Sequence, residues 1–130
     1  MTIREYAHDD LKLLDHIKQL LGSDEWYAEH KQHLTRQKGK RFYLLFENDV
    51  LVAMCSVWRG TILDAHTMPE FRRRGYMKSL LSYVKDHYDH LLIGTSHEAI
   101  EKVALALGFK YRLNRGRYRY YEIAHEKGRN

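Results

Sequence analysis

Hydrophobic residues in the first part of the chain recur first with a strand-like and then with a helical period. Residues 2–6 form a short strand-like run, and Asp9 or Asp10 is suited to cap a helix that Gly22 ends. Its apolar positions, spaced by three and four, are Leu13, Leu14, Ile17, Leu20 and Leu21. Residues 23–38 carry a second helical pattern, which Gly39 ends. We therefore predict one strand followed by two helices.

The middle of the chain has the pattern of three consecutive strands. Residues 42–46 and 50–58 are rich in aromatic and apolar types and flank a polar turn at residues 47–49, which predicts a β-hairpin. Residues 61–68 form the next strand. Because side chains alternate along a strand, two faces are expected. They are Ile62, Asp64 and His66 on one side and Leu63, Ala65 and Thr67 on the other.

The last part of the chain alternates between helix and strand. A helix is predicted over residues 76–88, a strand over 91–95 and a helix over 97–107 that stops at Gly108. Their core positions are Met77, Leu80, Leu81, Val84, Ile100, Val103, Ala104 and Leu107. Residues 109–112 and 117–123 are expected to pair as two final strands across residues 113–116. This element order predicts an α/β fold with a mixed sheet and helices on both faces.

The composition is that of one domain, residues 1–130, that is stabilised by packing alone. Apolar types make up 44% and charged types 30% of the 130 residues. No window approaches the roughly 18 uninterrupted apolar residues of a membrane span, and the amino terminus lacks a leader pattern. The lone Cys55 excludes an intrachain disulfide and a multi-cysteine zinc site. We predict a cytoplasmic protein without a membrane partner or a metal.

The formal net charge of +5 is concentrated at the carboxy-terminal end. Residues 110–130 contain seven basic and two acidic residues, whereas the preceding residues balance. The interleaved part is rich in arginine and tyrosine: Tyr111, Arg112, Arg115, Arg117, Tyr118, Arg119, Tyr120 and Tyr121. Such a basic stripe favours an anionic partner, which can be nucleic acid, a phosphorylated ligand or an acidic protein face. A half-buried final strand with solvated arginines is the favoured interpretation.

The segment of residues 67–77 carries the chemistry, because it runs from the end of a strand into the start of a helix. A helix start presents unpaired N–H groups and the positive end of the helix dipole, so it binds phosphates. Gly75 lets the backbone approach a ligand closely. Arg72, Arg73, Arg74 and Lys78 add positive charge around it. These features predict a pyrophosphate-binding loop.

This loop resembles the signature of the GNAT superfamily of N-acetyltransferases, which is Arg or Gln, two residues, Gly, one residue, then Gly or Ala. Arg72, Arg74, Gly75 and Tyr76 match it in register, while Met77 stands at the last position. Pro69 sits where the family commonly has proline, and Gly108 with Phe109 matches the Gly-Phe that commonly ends the last helix. The resemblance covers nearly the whole chain. It implies a mostly antiparallel central sheet of about seven strands flanked by four helices.

The resemblance also implies that acetyl-CoA is the co-substrate, with no metal. The backbone of Thr67 and Met68 would pair with the pantetheine arm. The backbone amides of the segment from Arg73 to Met77, which includes Tyr76, would hold the pyrophosphate. The remaining phosphate would meet one of the nearby cations: Arg72, Arg73, Arg74 or Lys78. In the family an amine attacks the thioester directly. This chemistry requires a proton acceptor, oxyanion-stabilising N–H groups and a proton donor for the thiolate.

The candidate catalytic residues follow from the same resemblance. The family often has a carboxylate or a histidine on the strand before the loop, where this chain has Asp64 and His66, and these are the candidate bases. Family members often carry a tyrosine as thiolate donor where this chain has Ala104. His97 is the candidate catalytic residue for this proton, and the open alternatives are another tyrosine (Tyr83, Tyr111 or Tyr118), water, or a loss of catalysis.

The sequence therefore predicts an acyltransferase that acetylates a primary amine. The basic end of the chain favours an acidic protein or a phosphate-bearing acceptor over a polyamine, since a cationic substrate would need acidic residues near the pocket. The alternative is a non-catalytic module of the same fold that binds nucleic acid through Arg72, Arg73, Arg74 and the basic strand. A monomer and a homodimer are equally compatible with the sequence.

Overall fold

A computed structural model describes residues 1–13, 15, 16 and 36–125. Seven strands make one sheet in the order β1-β2-β3-β4-β5-β7-β6. The strands are β1 Thr2–Ala7, β2 Arg41–Glu47, β3 Val50–Trp58, β4 Thr61–Thr67, β5 His90–Thr95, β6 Lys110–Arg115 and β7 Tyr118–Ala124. All neighbouring pairs are antiparallel except β4 and β5. The mixed, mostly antiparallel sheet of the predicted fold class is confirmed.

Two complete helices lie within the described residues, α1 Tyr76–Lys85 and α2 Glu98–Ala106, with a short 3-10 helix at Pro69–Phe71. Residues 11–13, 15 and 16 are also helical. Their start is capped by Asp10, whose carboxylate accepts from the Lys12 N–H at 2.9 Å. The rest of the first predicted helix and residues 23–35 of the second lie outside the described residues. Residues 36–38 are not helical, so the predicted end of the second helix at Lys38 is wrong.

The sheet buries a hydrophobic cluster on each face. On one face α1 and α2 pack through Met77, Leu80, Leu81, Val84 and Ala104. The predicted apolar positions Ile100, Val103 and Leu107 of α2 are partly buried against the same cluster. On the other face Leu13, from the first helical segment, packs with Phe42, Leu44, Phe46 and Met54. Helices therefore cover both faces of the sheet, as the element order predicted.

Both hairpin turns are tighter than predicted. Glu47 pairs with Val50, so β2 and β3 are joined by Asn48 and Asp49 alone, and both have positive φ angles, 50° and 64°. Two such residues form the turn that matches the right-handed twist of a hairpin. Arg115 pairs with Tyr118 across Gly116 and Arg117. The predicted loops of three and four residues are wrong because Glu47 extends β2 and residues 113–115 extend β6.

One ion-pair cluster joins α2 to β7. Glu101 accepts a hydrogen bond from Arg119 Nε and another from the Tyr121 hydroxyl. The Tyr121 hydroxyl, followed by Arg119, lowers the pKa of Glu101 below the ordinary value of 4.5. A carboxylate with a lowered pKa contributes stability above its ordinary pKa, and this contribution is lost as the pH falls through the folded-state value.

We therefore expect Glu101→Gln to lower the melting temperature at pH 7, and this effect to shrink as the pH falls through the lowered folded-state pKa of Glu101. Thermal unfolding over a series of pH values falling from pH 7 measures this trend. Glu98→Gln is the matched control, because Glu98 lies on the same helix and its ion pair within the described residues is an exposed one, with Lys102 at 3.3 Å. An equal loss of melting temperature in Glu101→Gln at every pH would contradict the assigned interaction.

Candidate active site

The candidate site lies where the sheet divides. β4 and β5 run parallel and pair only at Thr61 with Leu92 and at Ile62 with Ile93. Beyond these positions the two strands separate, which leaves a gap between the carboxy-terminal half of β4 and the end of β5. Polar side chains and exposed backbone of both strands therefore border an opening within the sheet.

A β-bulge bends β4 at this point. Met54 of β3 lies opposite His66 and Ser56 lies opposite Leu63, so β4 has one extra residue between these pairs. Asp64 lies there with a φ of 55°, in the left-handed region. The bulge also corrects the predicted faces of the strand. Ile62 packs in the cluster beneath α1 and α2, whereas Asp64 and His66 lie on the opposite face.

Asp64 is held in a buried charged cluster. Its Oδ2 lies 2.7 Å from Lys40 Nζ and accepts a hydrogen bond from Ser56 Oγ, also at 2.7 Å. Lys40 is 1% and Asp64 8% exposed. Because one oxygen already serves two donors, the contacts of this candidate base are structural. His66 is 2% exposed and borders the cavity near the loop. Sequence analysis missed Lys40, which has no pattern that marks a buried lysine.

The predicted phosphate loop connects β4 to α1. The 3-10 helix turns the chain, Arg73 has a φ of 65°, and Gly75 precedes the first residue of α1 with a φ of 80°. A Cβ atom at Gly75 would meet no atom within 4 Å, so the start of the helix faces open space. Tyr76 donates from its hydroxyl to Glu47 at 3.1 Å, which anchors α1 to the end of β2. This arrangement fits an anionic ligand at the amino terminus of α1.

The loop cations have different roles. Arg72 Nε donates to the Thr67 carbonyl at 2.9 Å and thus fixes the end of β4. The Arg74 guanidinium lies 5.6 Å from the centre of the Phe71 ring, and Arg73, Arg74 and Lys78 are exposed. These last three have the solvent access that phosphate contacts require.

The surroundings of Met68, Met77 and Thr67 bear on the predicted cofactor contacts of the loop. The Met68 N–H donates to Val52 at 2.8 Å and the Met68 carbonyl accepts from Phe71 at 2.9 Å. The backbone N–H and carbonyl of Met68 therefore already have partners within the protein, whereas the prediction paired the Met68 backbone with a pantetheine arm. Met77 is 7% exposed and packs mostly in the core, with only a part of its surface bordering the cavity. Thr67 also borders this cavity, as expected for a strand end beside the ligand.

Two adjoining cavities lie at the gap. The larger, about 610 Å³, is bordered by the loop residues Arg72, Arg73, Gly75, Tyr76 and Lys78. The smaller, about 450 Å³, is bordered by Leu63, Asp64, Gly94, Tyr118 and Tyr120. Three residues border both cavities: Ala65, His97 and Ile100. The cavities therefore adjoin at the gap, with a histidine at their junction.

His97 lies immediately before α2. Its N–H donates to Thr95 Oγ1 at 3.0 Å, which fixes the backbone at the start of the helix. Ala104 is fully buried in the core. Of the tyrosines considered as substitutes, Tyr83 packs on Tyr43 and His87, and Tyr111 bonds Asn114 on exposed β6. Tyr118 borders the smaller cavity, as does Tyr120, which the sequence analysis did not select.

The basic carboxy-terminal stripe is divided by ion pairs. Arg112 pairs with Glu122 at 3.1 Å and Arg119 pairs with Glu101, which partly neutralises the predicted anion-binding surface. Arg117 instead borders the smaller cavity beside Tyr118. Tyr121 is buried beneath α2, while Tyr118 and Tyr120 border the smaller cavity.

Other candidate chemistry is absent from the described part of the chain. Cys55 is fully buried, and this burial, followed by the charge of Asp64, raises the pKa of its thiol well above the ordinary range. Residues 1–13, 15, 16 and 36–125 contain no group of three His, Cys, Asp or Glu side chains placed to hold a metal ion. No helix within the same residues is long and apolar enough to cross a membrane.

Solved structures share this fold. RimL, a ribosomal α-N-protein acetyltransferase in complex with coenzyme A, has 14% identity and a TM-score of 0.71, covering 95% of this chain and 94% of its own. The structure of yncA from Salmonella typhimurium with its cofactor acetyl-CoA has 17% identity and a TM-score of 0.66, covering 100% and 96%. Aminoglycoside 6'-acetyltransferase type Ii has 14% identity and a TM-score of 0.70, covering 95% and 97%. No curated protein matches the sequence.

A family comparison agrees with the fold. The model of the acetyltransferase (GNAT) family matches residues 8–124, which include every strand from β2 to β7 and both complete helices. The fold and the family match together define the protein as an acyltransferase that uses acetyl-CoA. The chain belongs to the GNAT family of N-acetyltransferases.

Proposed function

We propose that the chain, acting as one domain over residues 1–130, transfers the acetyl group of acetyl-CoA to a primary amine by direct attack. The observation that carries this proposal is the pair of cavities that adjoin at Ala65, His97 and Ile100. One cavity borders a phosphate-binding loop and the other is open to a second substrate. Two substrates bound in adjoining cavities can react without a covalent enzyme intermediate.

The larger cavity is the proposed acetyl-CoA site. The open start of α1 at Gly75 supports it as the place for the pyrophosphate, because the helix dipole and free N–H groups favour an anion there. Arg73, Arg74 and Lys78 are exposed around it and are the proposed partners of the remaining phosphate. Arg72 is assigned to the Thr67 carbonyl instead.

The smaller cavity is the proposed amine site. As the amine nitrogen bonds to the thioester carbon, the carbon–sulfur bond breaks, the nitrogen loses a proton and the sulfur gains one. His97 is the proposed proton donor to the sulfur, since it borders both cavities and the usual tyrosine position is Ala104. Asp64 is not favoured as the base because Lys40 and Ser56 already occupy its Oδ2. His66 remains the candidate acceptor of the amine proton. Because it borders the larger cavity and not the smaller one, this role requires the amine nitrogen to reach across the junction at Ala65.

An acceptor that carries a negative group fits the smaller cavity best. The one carboxylate among its lining residues, Asp64, is neutralised by Lys40, whereas Arg117 has no ion pair with any residue in the described ranges. The structural relatives do not identify the acceptor, since one is a ribosomal protein acetyltransferase and another is an aminoglycoside acetyltransferase. We propose an acidic peptide or a phosphate-bearing amine, in the cytoplasm as predicted from the sequence.

The experiment measures release of free coenzyme A with amines of opposite charge. Acidic amino-terminal peptides and amino-phosphates are expected to be acetylated, and spermidine is not. His97→Ala should lower kcat by about 100-fold or more, the usual contribution of general acid–base catalysis. His87→Ala is the matched control, because His87 packs on Tyr83 away from both cavities. An unchanged kcat in His97→Ala, or preference for spermidine, would contradict the corresponding assignment.

A further inference from the structure

The bulge of β4 is built from an unusual backbone conformation at the edge of the gap. Asp64 has a φ of 55°, a left-handed value that only glycine adopts without a steric penalty. The register gives Asp64 and Ala65 no partner in β3 or in β5, two strands that are described in full. The sheet ladder therefore does not hold this conformation, so a side-chain interaction must help to do so.

The side chain of Asp64 is fixed by two donors from different strands and loops. Lys40 precedes β2 and Ser56 lies in the middle of β3, and both reach the same oxygen, Oδ2, at 2.7 Å. The Lys40 ammonium also lies 5.1 Å from the centre of the Phe42 ring, and the backbone N–H of Lys40 donates to the Gln37 carbonyl at 3.0 Å. Ser56 is fully buried. The segment before β2 and the strand β3 thus each supply one donor to the same carboxylate oxygen of β4.

Stability alone does not explain this cluster. Taking two charges out of water is expensive, and a buried ion pair is often replaced by apolar residues without loss of stability. A buried pair with two fixed donors does, however, specify one geometry, since any rotation of the Asp64 backbone would pull the carboxylate away from both. The cluster therefore fixes the backbone conformation at the point where β4 leaves β5.

We propose that Lys40 and Ser56 are positioning residues that hold Asp64 in its left-handed conformation and thereby set the orientation of the β4 backbone beside the acetyl thioester. This inference rests on the function proposed above. The neighbouring Ala65 borders both cavities, so its backbone is the part of the gap that a rotation at Asp64 would move first. A group displaced by 1 Å in a reactive site lowers the rate by roughly 100-fold.

The test uses a double variant that leaves no unpaired buried charge. Lys40→Met with Asp64→Gly removes both charged groups, and glycine adopts a φ of 55° without strain. A second double variant, Lys40→Met with Asp64→Asn, keeps an oxygen for Ser56 and tolerates the left-handed conformation. The matched control is Arg41→Met with Glu5→Gln, which removes the exposed ion pair next to Lys40.

Hydrogen exchange of residues 61–68 without ligand, and calorimetric affinities for acetyl-CoA and coenzyme A, are then measured. In the glycine variant we expect exchange about tenfold faster and acetyl-CoA affinity about tenfold weaker, with coenzyme A affinity within about threefold of wild type. The asparagine variant should lie between wild type and the glycine variant, and the control should match wild type. If the glycine variant does not fold, the asparagine variant gives the same comparison.

The possible results separate the two proposals. Unchanged exchange in both double variants would overturn the role of the cluster in holding the bulge. Faster exchange with an unchanged ratio of acetyl-CoA to coenzyme A affinity would overturn the positioning role. If the wild-type protein bound neither ligand, the proposed function would fail, while exchange of residues 61–68 would still decide whether Lys40 and Asp64 hold the bulge.

Discussion

Gly75→Glu is expected to abolish measurable acetyl-CoA binding, with a dissociation constant raised by roughly 100-fold or more. Two effects add. A side chain at a φ of 80° costs about 1–2 kcal/mol in the conformation that shapes the loop, and the new carboxylate lies where we place the pyrophosphate. Calorimetric titration and ligand-induced thermal stabilisation measure the loss, because a ligand that binds only the folded state raises the melting temperature.

Gly116→Glu separates the charge at the loop from the backbone penalty. Gly116 also has a positive φ, 60°, with open space around its missing side chain, but it lies in the turn between β6 and β7. We expect Gly116→Glu to lose a similar amount of stability and to keep its affinity for acetyl-CoA. Retained binding in Gly75→Glu would show that the start of α1 does not hold the phosphates.

The second large effect is expected at Gly94, where β5 and β7 meet beside the smaller cavity. Gly94 lies opposite Tyr120, and a Cβ atom at this position would be 2.5 Å from Tyr120 Cε1 and 2.8 Å from Cζ. Such an overlap forces the ring to move. Gly94→Ala should therefore lower the free energy of unfolding by about 1–3 kcal/mol. Denaturant titration measures this change.

The displaced ring should also reduce the space for the amine. Because Tyr120 borders the smaller cavity only, acetyl-CoA affinity should stay unchanged in Gly94→Ala. A double-mutant cycle with Tyr120→Ala tests the cause, since Gly94→Ala should have little effect once the ring is gone. Equal losses of stability in both backgrounds would mean that the Tyr120 ring is not the source.

The sequence predicted the elements well because their signals are local. Met77, Leu80, Leu81 and Val84 recur with a helical period, and these four are the buried residues of α1. The strands of β2 and β3 are apolar runs bounded by turn residues. The turn lengths were wrong because pairing of Glu47 with Val50, and of Arg115 with Tyr118, depends on cross-strand contacts that a linear pattern does not contain.

The residues of the candidate site also differ in whether the sequence could predict them. The candidate phosphate loop could be located because a helix start, a glycine and neighbouring cations are consecutive in the chain. Lys40, Ser56 and Tyr120 were not, since each acquires its role only when distant strands are brought into register. A β-bulge also leaves no signal in the sequence pattern. The sequence placed Ile62, Asp64 and His66 on one face of the strand, whereas the bulge puts Ile62 on one face and Asp64 and His66 on the other. A motif of consecutive residues can be predicted from the sequence, whereas side chains that are distant in the chain are seen to meet only in the folded structure.

The short parallel contact between β4 and β5 has a consequence for how this enzyme can change. Five antiparallel strand pairs hold the rest of the sheet, and β4 meets β5 through only two residue pairs. Ile62 and Ile93 also belong to the buried core, so substitutions there would affect folding as well. Thr61 and Leu92 are partly exposed, and substitutions at these two positions can alter the angle between the two halves of the sheet while most of the strand pairing stays intact. The width of the gap, and with it the size of the acceptor, can therefore change at these two positions.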